Sequence, residues 1–572
     1  MRTSTFRPQY DVIVIGAGIS GLTAAGLLSR AGLSVCVLEM DARPGGYLAG
    51  FRRKDFRFDS AIHWLNQLGP DGLVTRVFDV IGPDHPTART QRRIKRYKGD
   101  SFDYLLTDKP DDLKEQWIRD FPGDRAGIER FFRDAKKIGG AFEGMGSFFR
   151  TEESKGPLGK VLHLFTKLKF ALPFIPHLRY SGPEGIKKGL SKYFKDERLH
   201  RIFSSEMDLL SCLVPIGWAY YGDYQLPPVG GSQVFPEWLA HVIASYGNEI
   251  HYKCRVHEVL LTDGRATGVR LTQNNTTHHL RAKQVVGACD VEALYERMLP
   301  ADAVPAALKK KLHEAKLYPS SVTVALALDR PTQDFGFGEE MIYLSNDGVP
   351  RERQCDGGPE EVGISILAPS LRDPSMAPDG MGTLTIYIPA EFAAHDQWLT
   401  GPGKNGGVDR GDAYEQLKKD YADVLIRRIE ERLAPGLSKH VVYCDVATPI
   451  THWRYTGNRN GSMMGARPGK ENFKAGIAHY RTPVKGLYLG SHWAELGGGV
   501  PIAVRAGANT ALLVLQDRKH PATATLASFM DGRIGPKEVI ASGFFKPYTP
   551  NWVRSPTPAE KKRSGRSERS EA

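Results

Sequence analysis

The stretch DVIVIGAGISG, residues 11–21, decides the fold of this chain. Residues 12–15 form an uninterrupted apolar run, which is typical of a strand buried on both faces of a parallel sheet. Gly16 permits a tight turn, Gly18 lets a ligand approach the backbone, and Gly21 lets the following helix pack closely on the strand. The pattern predicts a strand–turn–helix unit at the start of the chain.

The residues after this turn complete a dinucleotide-binding pattern. A helix is predicted for residues 22–31, ending at Gly32, and a second strand for residues 35–38, with Glu39 at its end. An acid about twenty residues beyond the glycines binds ribose hydroxyls and disfavours a 2′-phosphate. The predicted contacts of the adenosine and diphosphate half are Gly16, Gly18, Ser20, Gly21 and Glu39. The alternative is an ordinary strand–turn–helix unit whose glycines serve packing alone.

The segment EMDARPGG, residues 39–46, distinguishes FAD from NAD as the predicted ligand. It resembles the E-x-x-x-R-x-G-G element of flavoproteins with the glutathione-reductase-type FAD fold. In that family the arginine and the paired glycines lie against the ribose and diphosphate, which here implies contacts from Arg43, Gly45 and Gly46. The resemblance therefore implies FAD as the cofactor.

Composition excludes several other classes of protein. Hydrophobic residues make up 41% of the 572 positions and charged residues 25%, as in ordinary globular proteins. No run of eighteen apolar residues predicts a membrane span, and six scattered cysteines indicate a reduced, cytoplasmic compartment and no metal site. The net charge of +12 is compatible with an anionic membrane surface, whereas no motif indicates nucleic-acid binding.

The order of elements predicts an interrupted α/β architecture. We expect a glutathione-reductase-type FAD-binding Rossmann domain with an interleaved mixed α+β substrate domain. The FAD-binding parts are predicted at residues 1–80, 226–300 and 481–517, the substrate parts at 81–225 and 301–480, and a C-terminal extension, disordered toward its end, at 518–572.

Blocks beyond the N-terminus carry a second resemblance, which covers residues 10–515 in order. Residues 228–231, 447–461 and 486–501 are similar to the phytoene desaturase, carotenoid isomerase and retinol saturase superfamily. There the late glycine run and the following helix N-terminus lie against the flavin ring, and a strand backbone contacts the adenine. The cofactor contacts implied at the matching positions are Val256, Gly490, Ser491, Gly499 and Val500, and Ser491 departs from the acidic residue usual at its position.

The same superfamily transfers hydride between flavin and a carbon of an apolar chain, so the cofactor performs most of the chemistry. Candidate catalytic residues are His63, Tyr455, His492 and Glu495. His63 follows a segment that, by resemblance, runs toward the flavin, and His492 and Glu495 flank the late glycines, where a side chain can shuttle a proton. A packed, structural role is the alternative for each.

Residues 158–176 mix large apolar side chains with lysines. This segment is too short and too charged to span a bilayer, but a basic amphipathic stretch can lie at a membrane surface and admit a lipid-dissolved substrate. The alternative is a helix with its apolar face in the core. Peripheral membrane contact is therefore an open expectation.

Electrons must be exchanged with a diffusing donor or acceptor. The motif GPGKNG, residues 401–406, follows no apolar strand and is interpreted as a surface loop, and there is no C-x-x-C pair. The expected substrate is an apolar polyene or isoprenoid that is desaturated, saturated or isomerised. A flavin amine oxidase and a flavin-free escort protein for prenyl lipids are the alternatives.

Overall fold

The computed structural model describes residues 6–143, 149–403 and 407–570, with side chains up to residue 564. Most of its strands form two seven-stranded sheets, which confirms the predicted α/β class. The first sheet has the order Cys254–Thr262, Arg265–Gln273, Thr276–Gly287, Gln9–Ile15, Val35–Leu38 and Glu249–His251, with Leu487–Leu489 also paired to Thr276–Gly287. Short two-stranded pairs join Gly50–Arg53 to Phe56–Asp59, Arg89–Thr90 to Gln225–Leu226, and Gly401–Pro402 to Val408–Asp409.

The strand Gln9–Ile15 lies at the centre of the first sheet, as predicted. It pairs in parallel with Val35–Leu38 on one side and with Thr276–Gly287 on the other. The side chains of Val12, Ile13 and Val14 are fully buried. Both faces of this strand are covered, and this is why its residues 12–15 are all apolar.

The strand Thr276–Gly287 belongs to two kinds of pairing at once. Its first half is antiparallel to Arg265–Gln273, and its second half is parallel to Gln9–Ile15 and to Leu487–Leu489. A hairpin turn with positive φ at Asp263 and Gly264 joins Cys254–Thr262 to Arg265–Gln273. Lys253, with a φ of 56°, separates the strand Glu249–His251 from Cys254–Thr262.

The second sheet is mostly antiparallel. Its order is Val441–Ala447, Ser320–Leu328, Gly382–Ala390, Ile364–Leu367, Met341–Leu344, Arg93–Lys98 and Asp103–Thr107. Among the described strands of this second sheet, Met341–Leu344 and Arg93–Lys98 are the only parallel neighbours. The chain alternates between the two sheets, and the proposed division into domain parts stays a prediction.

Helices cover both sheets and their connections. The helices are Ile19–Arg30, Leu73–Ile81, Pro110–Asp120, Arg125–Glu143, Pro157–Ala171, Pro183–Leu190, Glu197–Arg201, Leu209–Tyr220, Val234–Ser245, Ala306–His313, Arg351–Asp356, Pro369–Arg372, Asp412–Arg432, Pro449–Thr456, Lys470–Ala475, Val500–Asp517, Ala522–Met530, Pro536–Ala541 and Pro558–Ser570, and a left-handed turn lies at Ala394–Leu399.

Two of these helices pack backbone against backbone. The first helix, Ile19–Arg30, contacts the late helix, Val500–Asp517, where Gly507 meets Ser20. A Cβ on Gly507 would lie 2.3 Å from the Ser20 carbonyl oxygen. Gly507 is seven residues into its helix, so the start of that helix lies about 10 Å along the axis from this contact.

The end of the chain carries a further helix, Pro558–Ser570. Thr557 is fully buried and its hydroxyl donates to the Ser375 carbonyl at 2.8 Å, while Arg554 pairs with Glu560 at 2.7 Å. The disorder expected toward the end of the chain stays a prediction. The surface loop expected at residues 401–406 lies partly outside the described residues.

The helix contact gives a stability prediction. Gly507→Ala should lower the free energy of unfolding by about 1–3 kcal/mol, because the new methyl group must push the two helices apart. The matched control is Gly123→Ala, where an added Cβ meets no atom within 4 Å. Urea unfolding followed by fluorescence measures both, and equal values for the two variants would contradict the close contact.

Candidate active site

The first glycine turn combines one crowded and one open position. Gly16 has a φ of 107°, and a Cβ there would lie 2.6 Å from the Ala288 carbonyl oxygen. A Cβ on Gly18 would meet no atom within 4 Å, and Gly18 caps the first helix. The unpaired amides and positive dipole end of a helix start bind phosphate. The open space at Gly18 therefore fits a diphosphate group.

The paired glycines lie against this turn. The Gly45 amide donates to the Ala17 carbonyl at 2.8 Å, and a Cβ on Gly46 would lie 3.5 Å from the Gly18 Cα. Arg43 is exposed, with its Nε 3.9 Å from the Asp41 carboxylate. The structure thus brings Gly45 and Gly46 to the predicted place, and leaves Arg43 at its rim.

Glu39 is held at the end of its strand by two backbone donors. Its carboxylate accepts from the Ala17 amide at 2.7 Å and from the Asp41 amide at 2.8 Å. Burial raises the pKa of Glu39 above its usual value. The Cys254 amide donates to the Glu39 carbonyl, and Val256 follows two residues later at a β-bulge. Glu39 and Val256 therefore lie on the same edge, which suits an adenosine group.

The late return of the chain supplies the other end of the site. The Gly490 amide donates to the Gly287 carbonyl at 2.9 Å, and a Cβ on Gly490 would lie 2.3 Å from the Val286 side chain. The Ser20 hydroxyl donates to the Gly490 carbonyl, which ties this return to the first turn. Ser491 is buried and its hydroxyl donates to the Cys289 carbonyl at 3.0 Å, so only its acceptor lone pairs remain for a ligand.

A second open helix start follows. Gly497 and Gly499 have φ of 104° and 89°, and Val500 begins the late helix. A Cβ on Gly499 would meet only Pro501, at 3.7 Å. This helix start offers unpaired amides and a positive dipole end, which suits a ring that gains negative charge on reduction.

The described residues fit FAD. A Cβ would enter open space at Gly18, and the Nε2 of His492 and the Nε1 of Trp493 are buried without a hydrogen-bond partner among the described residues. Such orphaned polar atoms are rare unless a ligand or water pairs with them. The two helix starts, Glu39 and the paired glycines would hold the dinucleotide, with the ring at the late helix.

His492 lies in this site as a neutral side chain. Burial lowers its pKa to about 4, so the neutral imidazole dominates at neutral pH. Its ring lies 5.5 Å from the Trp493 ring, and Gly465 approaches it so closely that a Cβ there would lie 2.7 Å from the His492 Nε2. A neutral imidazole can accept a proton, and a catalytic role for His492 stays a prediction.

Glu495 and Tyr455 are placed less favourably for catalysis than expected. Glu495 pairs with Arg505 at 3.1 Å and accepts a hydrogen bond from the Tyr480 hydroxyl. Both contacts hold the carboxylate in place, so this arrangement favours a structural role. The Tyr455 side chain is 55% exposed and lies beside Arg454, so the structure does not bring it to the other candidates.

His63 lies beside the second sheet. Its ring is 4.7 Å from the ring of Tyr387, and its carbonyl accepts from the Arg372 guanidinium. Burial, with a smaller effect of Arg372, lowers the His63 pKa to about 4. His63 also lines a pocket with Asp59 and Thr385.

Sequence reasoning missed a group of polar residues near this pocket. The Tyr47 hydroxyl donates to the Ser462 carbonyl at 2.8 Å, and the Tyr47 ring lies 6.2 Å from the ring of His452. The His452 Nε2 lies 3.0 Å from the Ser321 hydroxyl, and burial lowers the His452 pKa to about 4. Tyr47 directly follows the paired glycines, which was a usable signal, whereas Ser321 lies in a strand without any motif.

One further cluster lies under the first sheet. Ligand atoms of Cys36, Glu249 and His251 lie within 4.8 Å of one another. The Glu249 carboxylate already pairs with Arg7 at 2.9 Å and accepts from the Tyr10 hydroxyl. We assign this cluster the structural role of fixing the start of the chain to the strand Glu249–His251.

Comparison with known proteins identifies the relatives of this fold. A model of the family described as flavin containing amine oxidoreductase matches residues 19–515. Prolycopene isomerase of Daucus carota is 26% identical, covering 89% of this chain and 80% of its own length. All-trans-retinol 13,14-reductase of Danio rerio is 24% identical, covering 84% and 82%. Phytoene desaturase of Fusarium fujikuroi is 24% identical, covering 89% and 90%.

Solved structures agree with the fold. Putrescine oxidase bound to putrescine has a TM-score of 0.56 at 15% identity, covering 89% of this chain and 99% of its own. Cyclohexylamine oxidase of Brevibacterium oxydans has a TM-score of 0.53 at 15% identity, covering 90% and 100%. Together these findings confirm FAD as the cofactor and the resemblance to the phytoene desaturase, carotenoid isomerase and retinol saturase superfamily. The chain belongs to the family of flavin-containing amine oxidoreductases and is an FAD-dependent oxidoreductase.

Proposed function

We propose that this enzyme acts on carbon–carbon bonds of a long apolar polyene or isoprenoid, by desaturation, saturation or cis–trans isomerisation. The observation that carries the proposal is the similarity to the relatives reported above, and the small pocket beside His63 includes apolar residues in its lining. Its apolar members are Ala61, Ile62, Pro227, Leu367, Pro369 and Met376. Relatives named for isomerisation, reduction and desaturation of such chains align along most of this sequence.

The chain's own residues would position the substrate and exclude water. Bound FAD supplies hydride exchange with a substrate carbon. His63, His452 and His492 all have pKa values lowered to about 4 by burial, so they add no charge to the site at neutral pH. Uncharged histidines suit an apolar chain, which carries no group that would compensate a buried charge.

A flavin amine oxidase is the second candidate, and the structural neighbours named for amines favour it. Against it, the relatives that align along most of the sequence are named for isomerisation, reduction and desaturation of polyene-type compounds. The family match sets aside the flavin-free escort protein.

The chemistry can be tested directly. Under anaerobic conditions, holoenzyme with photoreduced flavin should saturate or isomerise at least one of a panel of polyenes, or holoenzyme with oxidised flavin should desaturate one, and product mass identifies the reaction. An unchanged mass indicates isomerisation, and a gain or loss of two hydrogens indicates saturation or desaturation. Hydrogen peroxide release on amines, with every polyene unchanged, would overturn the proposal.

The cofactor site gives a second prediction. Gly18→Val should weaken FAD binding by about 10- to 100-fold, because its side chain would fill the space for the diphosphate and remove charge-assisted hydrogen bonds. Free energies of unfolding of the apoproteins should agree within about 0.5 kcal/mol, since no protein atom is displaced. Gly123→Val is the matched control. Titration of apoprotein with FAD measures the affinity, and unchanged affinity would exclude this position for the diphosphate.

We also propose that the helix Pro157–Ala171 and the turn after it lie on a membrane surface. Nine large apolar side chains here, the apolar ridge, are each at least half exposed. They are Leu158, Val161, Leu162, Leu164, Phe165, Leu168, Leu172, Ile175 and Leu178. Within the helix only His163 is buried, so the alternative of an apolar face in the core is wrong.

The charge on this segment selects the kind of surface. Lys160 and Lys169 lie on the same helix, and Arg179 follows it, so an anionic bilayer is complementary. Lys167 already pairs with Glu152 at 2.9 Å. An exposed apolar patch of this extent is unusual for a protein without a partner surface. None of the helices in the described ranges is long and apolar enough to cross a bilayer.

Vesicle co-sedimentation tests the apolar ridge. Leu162→Glu with Phe165→Glu should reduce binding to vesicles of phosphatidylcholine and phosphatidylserine by about tenfold or more, since each buried side chain of this size contributes about 1.5–3 kcal/mol. Val553→Glu, at a side chain that is 84% exposed elsewhere, is the control. Equal binding of both variants would remove the membrane proposal. Concentration-dependent self-association that the same double variant abolishes would assign the ridge to a second copy instead.

A further inference from the structure

The pocket beside His63 lies where the loop after Phe56–Asp59 meets the second sheet. Asp59, His63, Arg372, Asp373 and Thr385 are its polar lining residues that matter for recognition. Thr385 belongs to the strand Gly382–Ala390, and Arg372 ends the helix Pro369–Arg372. The pocket is thus an apolar space with polar groups at one part of its wall.

Arg372 has one nitrogen that no described residue uses. Its Nε donates to the Glu339 carbonyl at 2.7 Å, and its Nη1 donates to the His63 carbonyl. Its Nη2 is buried without a hydrogen-bond partner among the described residues. Burial lowers the Arg372 pKa to about 10, so the group is still a cation at neutral pH. A buried charged donor left unpaired is costly, which indicates a ligand acceptor at this atom.

The two carboxylates of the pocket are already satisfied by other donors. Asp59 accepts from the Ser232 amide at 2.9 Å and from its hydroxyl at 2.8 Å. Asp373 accepts from the Gly230 amide at 2.7 Å and from the Ser375 amide and hydroxyl at 2.9 Å. Their charge nevertheless makes the pocket unfavourable for a further anion. A neutral oxygen, such as a hydroxyl or a carbonyl, fits the free donor better than a carboxylate does.

The pocket wall is joined to the cofactor site. The Ser60 hydroxyl donates to the Ala49 carbonyl at 2.7 Å, and the Ser232 hydroxyl donates to the Leu48 carbonyl at 3.0 Å. The turn Gly46–Leu48 begins at the glycine that lies against Gly18. A substrate end held at Arg372 would therefore extend from a wall that is continuous with the cofactor-binding turn.

We propose that the Nη2 of Arg372 binds a neutral oxygen at the end of the substrate, so that the enzyme prefers an oxygenated polyene to the corresponding hydrocarbon. This inference rests on the proposed function. The guanidinium recognises the oxygen of the end group and thereby fixes which carbon of the chain faces the flavin. The recognised chemistry is an isoprenoid alcohol, aldehyde or ketone.

The test compares three polyenes with one carbon skeleton, ending in a methyl, a hydroxyl or a carboxylate group. The wild-type holoenzyme should favour the hydroxyl compound over the hydrocarbon by about 10- to 100-fold in kcat/KM, as expected for one hydrogen bond to a charged donor. Arg372→Met should reduce this ratio to near one, mainly by raising the KM for the hydroxyl compound, while flavin content stays unchanged. Arg372→Lys should keep part of the preference.

Arg89→Met is the matched control, because Arg89 donates to the Arg372 carbonyl but does not line the pocket. It should keep the full wild-type ratio. A wild-type ratio near one, or a preference for the carboxylate, would overturn the inference while polyene turnover still supports the proposed function. Absence of turnover with all three polyenes would instead reject the proposed function. If Arg372→Met loses flavin, the inference is tested by the wild-type preference for the hydroxyl compound and by the part of it that Arg372→Lys keeps.

Discussion

The close contact between the first helix and the late helix is the constraint on which the rest of the site depends. Gly507 touches the Ser20 carbonyl with no room for a side chain, and Ser20 also donates to the Gly490 carbonyl. These contacts fix the two helix starts relative to each other. One start suits a diphosphate and the other suits the flavin ring, so a dinucleotide of fixed length can reach both.

The second sheet lies beside the loop that holds His63, where Tyr387 contacts the His63 ring and Thr385 belongs to the pocket lining. Burial keeps His63 and His452 neutral at neutral pH, and Arg505 holds the Glu495 carboxylate in an ion pair. The protein therefore contributes shape and desolvation, while the redox chemistry belongs to FAD.

The sequence predicted best where backbone conformation alone determines function. Gly16, Gly18 and Gly45 were identifiable because only glycine allows such turns and approaches. The role of Glu495 depends on its ion pair with Arg505, which lies more than one turn into the following helix. Arg372 lies 309 positions along the chain from the His63 carbonyl that it binds. The segment at 157–171 was recognisably amphipathic, but its pattern could not tell which face meets protein, because lysines and apolar residues alternate around it.

The strand Thr276–Gly287 delays the completion of the central sheet while the chain is being synthesised. It is the partner of both Gln9–Ile15 and Leu487–Leu489, so the central sheet stays incomplete until most of the chain has left the ribosome. Contacts of such sequence separation form slowly. The N-terminal strand must meanwhile keep its apolar faces covered by something other than its final neighbours. Chaperone assistance and an early supply of FAD would therefore influence the yield of folded enzyme more than the intrinsic stability of the first turn.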